Sequence, residues 1–299
     1  MCFTQPASAF FAVMAFSTAA FLRYRGHPFR RWQMFAYFGL MEVIQFCSYF
    51  WIDQCDSPIN KLLTMLAYTH VMYQNISVNA FFLSPEFGVH PDVFKLVTWM
   101  AVAGGSMGLI TKLPWPVWLG ASPTLLDPIS KILPDIHSLT KAGTPESCMF
   151  ENMCAPQVCT FSTPNHLAWS VPVMPPSYFL PNSFLHFFFF FAPTLIMANN
   201  LARAIMGMAF ITGPVFTMAL AARHMDTYKF EWPATWCYMS VAQCAIALSL
   251  ELWTIYKLEP RSSLRTMLLS GSSTPSTALP ATHGKTNGRA NGKANGKAL

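Results

Sequence analysis

Residues 62–83 form an apolar stretch that is interrupted by polar side chains along most of its length. The stretch is long enough to cross a bilayer as one helix, which takes about 20 residues. Its polar members include His70, Tyr73, Gln74, Asn75, Ser77 and Asn79. At about 100° per residue these side chains fall on opposite faces of a helix. Because unpaired polar groups are costly in hydrocarbon, the pattern predicts a central helix that is surrounded by other helices.

The composition of the whole chain is typical of a membrane protein. Of its 299 residues, 53% are hydrophobic and 11% are charged, whereas soluble domains carry about 25% charged residues. The net charge of +6 comes from a loop after the first apolar run and from the C-terminal tail. This distribution is typical of the cytosolic flanks of membrane helices. We therefore expect the lipid bilayer, and no nucleic acid, as a partner.

The apolar runs predict an all-α, polytopic membrane protein, with a seven-transmembrane helix bundle over residues 1–258. The predicted spans are residues 7–22, 33–52, 62–83, 93–111, 183–202, 204–222 and 233–256. The basic loop 23–31 follows the first span, so the positive-inside rule places the N-terminus outside and the C-terminus in the cytosol. The plasma membrane or the secretory pathway is the expected location.

Two segments differ in composition from the predicted helices. Residues 112–182 contain twelve of the 23 prolines and are predicted to form an extramembrane loop on the outside. Residues 259–299 are rich in Ser, Thr and Gly, end in a near-repeat of Asn-Gly-Lys/Arg-Ala, and contain no aromatic residue. Such a segment has too little apolar surface to form a core. It is predicted to be a disordered cytosolic tail.

Six of the eight cysteines fall on the predicted outside face. These candidates for disulfide bonds are Cys2, Cys55, Cys148, Cys154, Cys159 and Cys237. That face is oxidising, so the pattern predicts a disulfide framework for the Pro-rich loop, without fixing its pairing. Cys47 and Cys244 fall in the membrane and are expected as free thiols. A zinc cluster of Cys148, Cys154 and Cys159 is an alternative, but their spacing does not match the usual C-x2-C motif.

Ionisable residues recur at one depth of the predicted bundle. Glu42, His70 and His186 all fall in the outer half of the membrane, and His166 lies on the outside loop that could cover them. The pattern predicts a polar, outward-facing pocket for a small molecule or a lipid headgroup. The candidate binding residues are Glu42, Gln45, Asp53, His70, Tyr73, Gln74, His166, Trp169 and His186.

Two other interpretations of these residues remain open. His70, His166 and His186 could bind zinc, and Glu42 could add a carboxylate, in a membrane-embedded metal-dependent hydrolase. Alternatively, the polar groups form hydrogen bonds between helices in a structural membrane component without a ligand, each bond contributing about 0.6 kcal/mol. The chain contains no HExxH, GxSxG or Walker motif, so catalytic residues are not assigned.

Several short segments of the chain carry a resemblance to known proteins: Met1–Thr4 with Ala7-Ser8, Leu40–Glu42, Ile52–Cys55, His70 with Gln74 and Asn79, the segment around His166 and Trp169, and Trp236-Cys237. Together they resemble an uncharacterised family of multi-pass membrane proteins from bacteria and fungi. This resemblance covers most of residues 1–257 and implies a seven-span protein of unassigned activity. A weaker similarity connects the chain with seven-span hydrolases of the alkaline ceramidase and adiponectin-receptor kind. Those proteins carry a His-x3-His pair in the last span, which has no His here.

Overall fold

The computed structural model describes residues 4–83, 89–113, 142–145, 148, 152–164, 166–173, 182–224, 226–235, 245–246 and 248–249. These residues belong to one unit, Met1–Ser249. The predicted tail and most of the predicted seventh span lie outside the described residues. So do Cys2, Cys237 and Cys244.

Four long helices make up the N-terminal part of the chain. They are α1 (Gln5–Tyr24), α2 (Phe29–Ser48), α3 (Pro58–Phe82) and α4 (Pro91–Lys112). Proline stands in the first turn of α1, α3 and α4, where its fixed φ favours the helix and its missing N–H leaves no bond unmade. The turn between α1 and α2 contains Gly26 at a φ of +79°, which glycine adopts without a steric penalty.

The C-terminal helical segments are shorter, and three of them contain proline. Helix α5 (Asn182–Met197) contains Pro193, and α6 (Asn200–Phe210) begins after Asn199, whose side chain accepts a hydrogen bond from the N–H of Ala202. A π-helical turn, Ile211–Val215, contains Pro214 and leads into α7 (Phe216–Ala221). Helix α8 (Tyr228–Thr235) contains Pro233 and begins five residues before the predicted seventh span, 233–256.

Helix α3 is the central helix of the described bundle. It packs against α2 on one side and against α4 and α5 on others, and its N-terminal half also contacts the loop after α4. The prediction of a central helix is therefore confirmed.

The Pro-rich loop contains β-structure, so the prediction of an all-α fold is wrong in this segment. Strands β1 (Cys159–Ser162) and β2 (Leu167–Ser170) pair antiparallel, with Cys159 opposite Ser170 and Ser162 opposite Leu167. Helix α8 packs on β2, and the N–H of Met153 donates to the carbonyl of Lys229. We call the described residues 142–173 the cap. Its strands are only four residues long, too short for the sequence pattern to distinguish them from a loop.

Three helices in the described part of the chain are long and apolar enough to cross a membrane: Gln5–Tyr24, Pro91–Ile110 and Asn200–Ala221. A shorter apolar helix is His186–Met197. These helices are consistent with a membrane protein. By length and hydropathy alone they do not reach the predicted seven spans.

Glycine allows α4 to approach two neighbouring helices. A Cβ atom on Gly104 would lie 2.4 Å from the Phe189 ring of α5, and one on Gly105 would lie 2.8 Å from the backbone oxygen of Met72 in α3. Gly104 and Gly108 have the small-xxx-small spacing in the sequence, and Gly105, beside Gly104, allows the close approach to α3. Close contact of this kind is the usual function of small residues between membrane helices.

The approach of α4 to α3 predicts opposite effects for two Gly→Ala substitutions. Gly105→Ala should lower the free energy of unfolding by about 1–3 kcal/mol, because backbone atoms of α3 have to move. Gly207→Ala is the control, since a Cβ there meets nothing within 4 Å. It should be neutral or stabilise helix α6 by up to about 1 kcal/mol. Thermal unfolding of the two purified variants in detergent checks this, and equal behaviour would contradict the close packing.

Candidate functional site

Tyr37 and His70 bind each other reciprocally across the α2–α3 interface. The Tyr37 hydroxyl donates to the backbone carbonyl of His70 at 2.7 Å, and Nε2 of His70 lies 2.8 Å from the carbonyl of Tyr37. A carbonyl only accepts, so Nε2 carries the proton. The two rings also stack, with centroids 3.9 Å apart. His70, 6% exposed, therefore acts as a hydrogen-bonded connection between two helices.

Other polar residues of α3 bond to its remaining neighbours. Ser77 donates to the side chain of Gln33 on α2 at 3.1 Å, and the Gln33 amide donates to the carbonyl of Ser77. The hydroxyl of Tyr73 lies 2.9 Å from that of Ser106 on α4. Asn79 donates to the carbonyl of Phe189 on α5 at 2.7 Å. The polar side chains that interrupt this helix thus connect it to three different helices.

The cap is attached to the α2–α3 loop and to the first turns of α3 by a disulfide bond and by hydrogen bonds. Cys55 is bonded to Cys159 at the start of β1. The Asp53 carboxylate accepts from the N–H and the hydroxyl of Ser162, at 2.8 and 2.7 Å. In addition, the side chain of Asn60 bonds to both backbone groups of Thr160, and the Thr160 hydroxyl lies 2.7 Å from that of Thr64.

A buried carboxylate attaches helix α8 to the turn between the strands. Glu231, 0% exposed, accepts from the backbone N–H of His166 and from the hydroxyl of Thr163, both at 3.0 Å. Thr163 also donates to the carbonyl of His166. The His166 side chain points the other way, and its Nδ1 lies 3.3 Å from the Tyr49 hydroxyl at the end of α2. Burial lowers the pKa of His166 to about 3, so the imidazole is neutral.

A group of buried polar residues lies where α2 meets the cap. Gln45 and Tyr49 are four residues apart and Glu42 is seven before Tyr49, so all three fall on one face of α2. Glu42 and Gln45 are 3% and 0% exposed. Their neighbours in sequence, Met41 and Ile44, pack in one apolar cluster with Trp169 of β2. We call Glu42, Gln45, Tyr49, His166 and Trp169 the sub-cap cluster.

Trp169 carries a donor that is not satisfied by the described protein. The residue is 0% exposed, and its indole N–H has no acceptor among the residues that the structure describes. A buried donor without an acceptor costs about 1–3 kcal/mol, and buried indole groups usually have a partner. A bound polar molecule or water would remove that cost.

His186 lies in a different place, between α3, α4 and α5. It lines a small cavity of about 10 Å³ together with Asn75, Phe189 and glycines of α4. A space of this size accommodates about one water molecule. The side-chain oxygen of Asn75, 1% exposed, has no donor within the described residues, so a water here would have a partner.

The structure thus separates the nine predicted binding residues into several environments. The sub-cap cluster contains Glu42, Gln45, His166 and Trp169. Asp53 is bonded to β1, His70 and Tyr73 are bonded to neighbouring helices, and His186 lines the small cavity. Gln74 is buried on α3. Sequence reasoning missed Tyr37, Thr160 and Glu231. Only Tyr37 had a local signal, its spacing of four residues from Gln33 on the face that meets α3.

The structure gives no support to a zinc site. Within the described ranges, no three His, Cys, Asp or Glu side chains are arranged to hold a metal ion. His70 is bonded to Tyr37, His166 lies next to Tyr49, and His186 lines a separate cavity. The zinc cluster of loop cysteines is wrong, because Cys148 is bonded to Cys154 and Cys159 to Cys55. These two bonds confirm four of the predicted disulfide cysteines, and Cys47 is a free thiol as predicted.

The chain belongs to a family of unknown function, DUF5765, whose model matches residues 6–256. The match covers the described helices and the cap and confirms the resemblance to an uncharacterised family. No curated protein and no solved structure matches the chain.

The Cys55–Cys159 bond should be the strongest single attachment of the cap. It joins residues 104 positions apart, and bonds that close long loops restrict the unfolded chain most. Replacing both cysteines by serine should lower the free energy of unfolding by about 2–5 kcal/mol. Cys47→Ser, which removes a free thiol, is the control. Denaturant unfolding under non-reducing conditions checks this, and equal midpoints for the two variants would contradict the pairing.

The neutral state of His166 predicts a loss of stability in acid. Its pKa is about 3 in the fold and about 6.5 in the unfolded chain, so below pH 6.5 only the unfolded state takes up the proton. The free energy of unfolding should fall as the pH drops from about 6.5 toward 3, by up to about 1.4 kcal/mol per pH unit. The His166→Gln variant should lack this pH-dependent loss of stability. The His224→Gln variant, which is changed at an exposed position, should still show it. Unfolding curves at several pH values distinguish the two outcomes.

Proposed function

We propose that this chain is an integral membrane protein with seven spans, its N-terminus and cap outside the membrane and its tail in the cytosol. In this proposal α2 and α3 are also spans, although their overall hydropathy is low. The low value arises from polar residues that are buried within the bundle.

The distribution of exposed residues on α2 and α3 supports this proposal. Leu40 and Val43 on α2 are 46% and 36% exposed, and Leu62 and Leu66 on α3 are 59% and 46% exposed. The buried faces of the same two helices combine apolar residues with most of the polar ones: Glu42, Gln45, Ser48, Asn60, Thr64, His70, Gln74, Asn75, Ser77 and Asn79. Helices with apolar residues outward and polar residues inward are suited to a lipid environment.

We further propose that the sub-cap cluster binds a small polar molecule or a lipid headgroup. The observation that carries this proposal is the buried indole N–H of Trp169, which has no acceptor in the described protein. Glu42 and Gln45 are on the same face of α2 as Tyr49, whose hydroxyl lies next to His166 of the cap. A ligand with an acceptor for the indole N–H of Trp169 would satisfy this donor.

The hydrogen bonds of α3 favour a second function for the other predicted binding residues. Tyr37 with His70, and Tyr73 with Ser106, already use their polar groups between helices. These residues fit the structural interpretation, in which polar bonds fix the packing of the bundle. A hydrolase has less support, because its metal ligands are not assembled among the described residues.

The ligand proposal predicts that removing the indole N–H weakens retention of a bound molecule. Trp169→Phe keeps an aromatic ring but loses the donor. If one hydrogen bond contributes about 0.5–1.5 kcal/mol, the affinity should fall by about two- to tenfold. Wild-type protein purified in detergent should release about one molecule of a defined species per chain, measured by mass spectrometry of aqueous and organic extracts. The phase that contains it separates a soluble ligand from a lipid.

Trp99→Phe is the matched control, because Trp99 is 70% exposed on α4. This variant should retain the species at the wild-type level. Wild-type extracts without any stoichiometric species, or full retention in Trp169→Phe, would leave the structural interpretation as the better account of the cluster.

A further inference from the structure

One end of the described bundle is strongly basic. This end comprises the turn between α1 and α2 and the first turns of α4 and α6. Its cations are Arg23, Arg25, Arg30, Arg31, Lys95 and Arg203. The carboxylate that the described residues place here is Asp92, and it lies 3.4 Å from Lys95. We call this the arginine end.

The opposite end has a different balance of charge. Next to the cap, the described acidic residues are Asp53, Asp56, Asp226 and Glu231, and the described basic residues are Lys61, Arg223 and Lys229. Positive charge is therefore concentrated at one end of the helices and is not spread over the surface. A concentration of this kind attracts anions over distances up to about 10 Å at ordinary ionic strength.

Aromatic side chains hold two of the guanidinium groups in place. The Arg30 guanidinium lies over the ring of Phe94 at 4.0 Å, across the contact between α2 and α4. Arg23 lies 5.6 Å from the centre of the Trp32 ring. The neighbouring Tyr24 and Phe29 are 87% and 65% exposed. Exposed aromatic residues next to fixed cations are typical of the boundary between headgroups and hydrocarbon.

We propose that the arginine end binds the phosphate groups of anionic phospholipids in the adjacent leaflet. The planar guanidinium offers paired N–H donors that match a phosphate, and Arg23 and Arg30 are oriented by their aromatic neighbours. The exposed rings of Tyr24 and Phe29 would lie among the upper parts of the acyl chains. This function is separate from ligand binding beneath the cap and requires only that the helices cross a membrane.

The test measures lipid binding to the full chain in neutral detergent by native mass spectrometry. Phosphatidylglycerol and phosphatidylcholine with the same acyl chains are the two probes. The wild-type protein should bind phosphatidylglycerol at least about tenfold more tightly. A basic residue near a membrane surface contributes about fivefold in binding, so Arg23→Gln with Arg25→Gln should weaken phosphatidylglycerol binding by about 25-fold. Binding of phosphatidylcholine should not change.

Two controls separate this site from a general effect of charge. Arg223→Gln with Lys229→Gln removes the same charge near the cap and should leave the lipid preference intact. Arg23→Lys with Arg25→Lys keeps the charge but loses the paired N–H donors, so its binding should lie between that of the wild type and that of the Gln variant. Equal binding of the two lipids by the wild-type protein, or an equal loss in the control near the cap, overturns the proposal.

The salt dependence of the wild-type protein tests the proposal even if the Gln variant does not fold. Raising the salt from about 0.1 M to 1 M shortens the screening distance from about 10 Å to 3 Å. The affinity for phosphatidylglycerol should then fall toward the affinity for phosphatidylcholine. A preference that salt does not change contradicts a site made of arginine and phosphate.

Discussion

In the membrane-spanning bundle that we propose, hydrocarbon offers no hydrogen-bond partner, so the polar groups of α3 have to find theirs inside the protein. Ser77 finds it on α2, Tyr73 on α4 and Asn79 on α5. Each bond has a small net free energy, but together they require neighbours on three sides of α3 and set how those neighbours are rotated. Gly105 then allows α4 to approach to the distance at which these bonds form. The arrangement of the described helices follows from this one constraint.

Buried polar groups are also hydrogen-bonded where the cap meets the end of the bundle. The backbone carbonyl and N–H of Thr160 in β1 are hydrogen-bonded to the side chain of Asn60. The Asp53 carboxylate accepts a hydrogen bond from the N–H of Ser162. The Cys55–Cys159 bond closes this contact covalently. A cap held in this way has little freedom to move as a separate domain. The sub-cap cluster is thus enclosed between a fixed surface and α2, which suits a ligand that is held for long times.

Some of these features could be predicted from the sequence and others could not. The central position of α3 was predictable, because polar residues on opposite helix faces exclude a position at the edge of the bundle. The burial of Glu42 and His70 inside the bundle was predictable too, but the partner of His70 was not, because Tyr37 is 33 residues away in sequence. Helical periodicity tells on which face of its helix a residue lies. It does not tell which residue of a neighbouring helix lies opposite. The position of the β1–β2 pair and the bonds of Glu231 depend on contacts between segments that are far apart in sequence. These segments are short and irregular, so they leave no periodic signal.

Our proposal has α2 and α3 crossing the membrane with their polar residues turned inward. Spin labels on cysteines introduced at Leu40 and Leu66, in protein reconstituted into bilayers, test it most directly. Both positions are exposed apolar sites, and a label at Asp56 in the α2–α3 loop is the aqueous control. The account predicts that the labels at 40 and 66 collide often with dissolved oxygen and rarely with a water-soluble nickel chelate, and that the label at 56 does the reverse. Nickel access at 40 and 66 equal to that at 56 would contradict it.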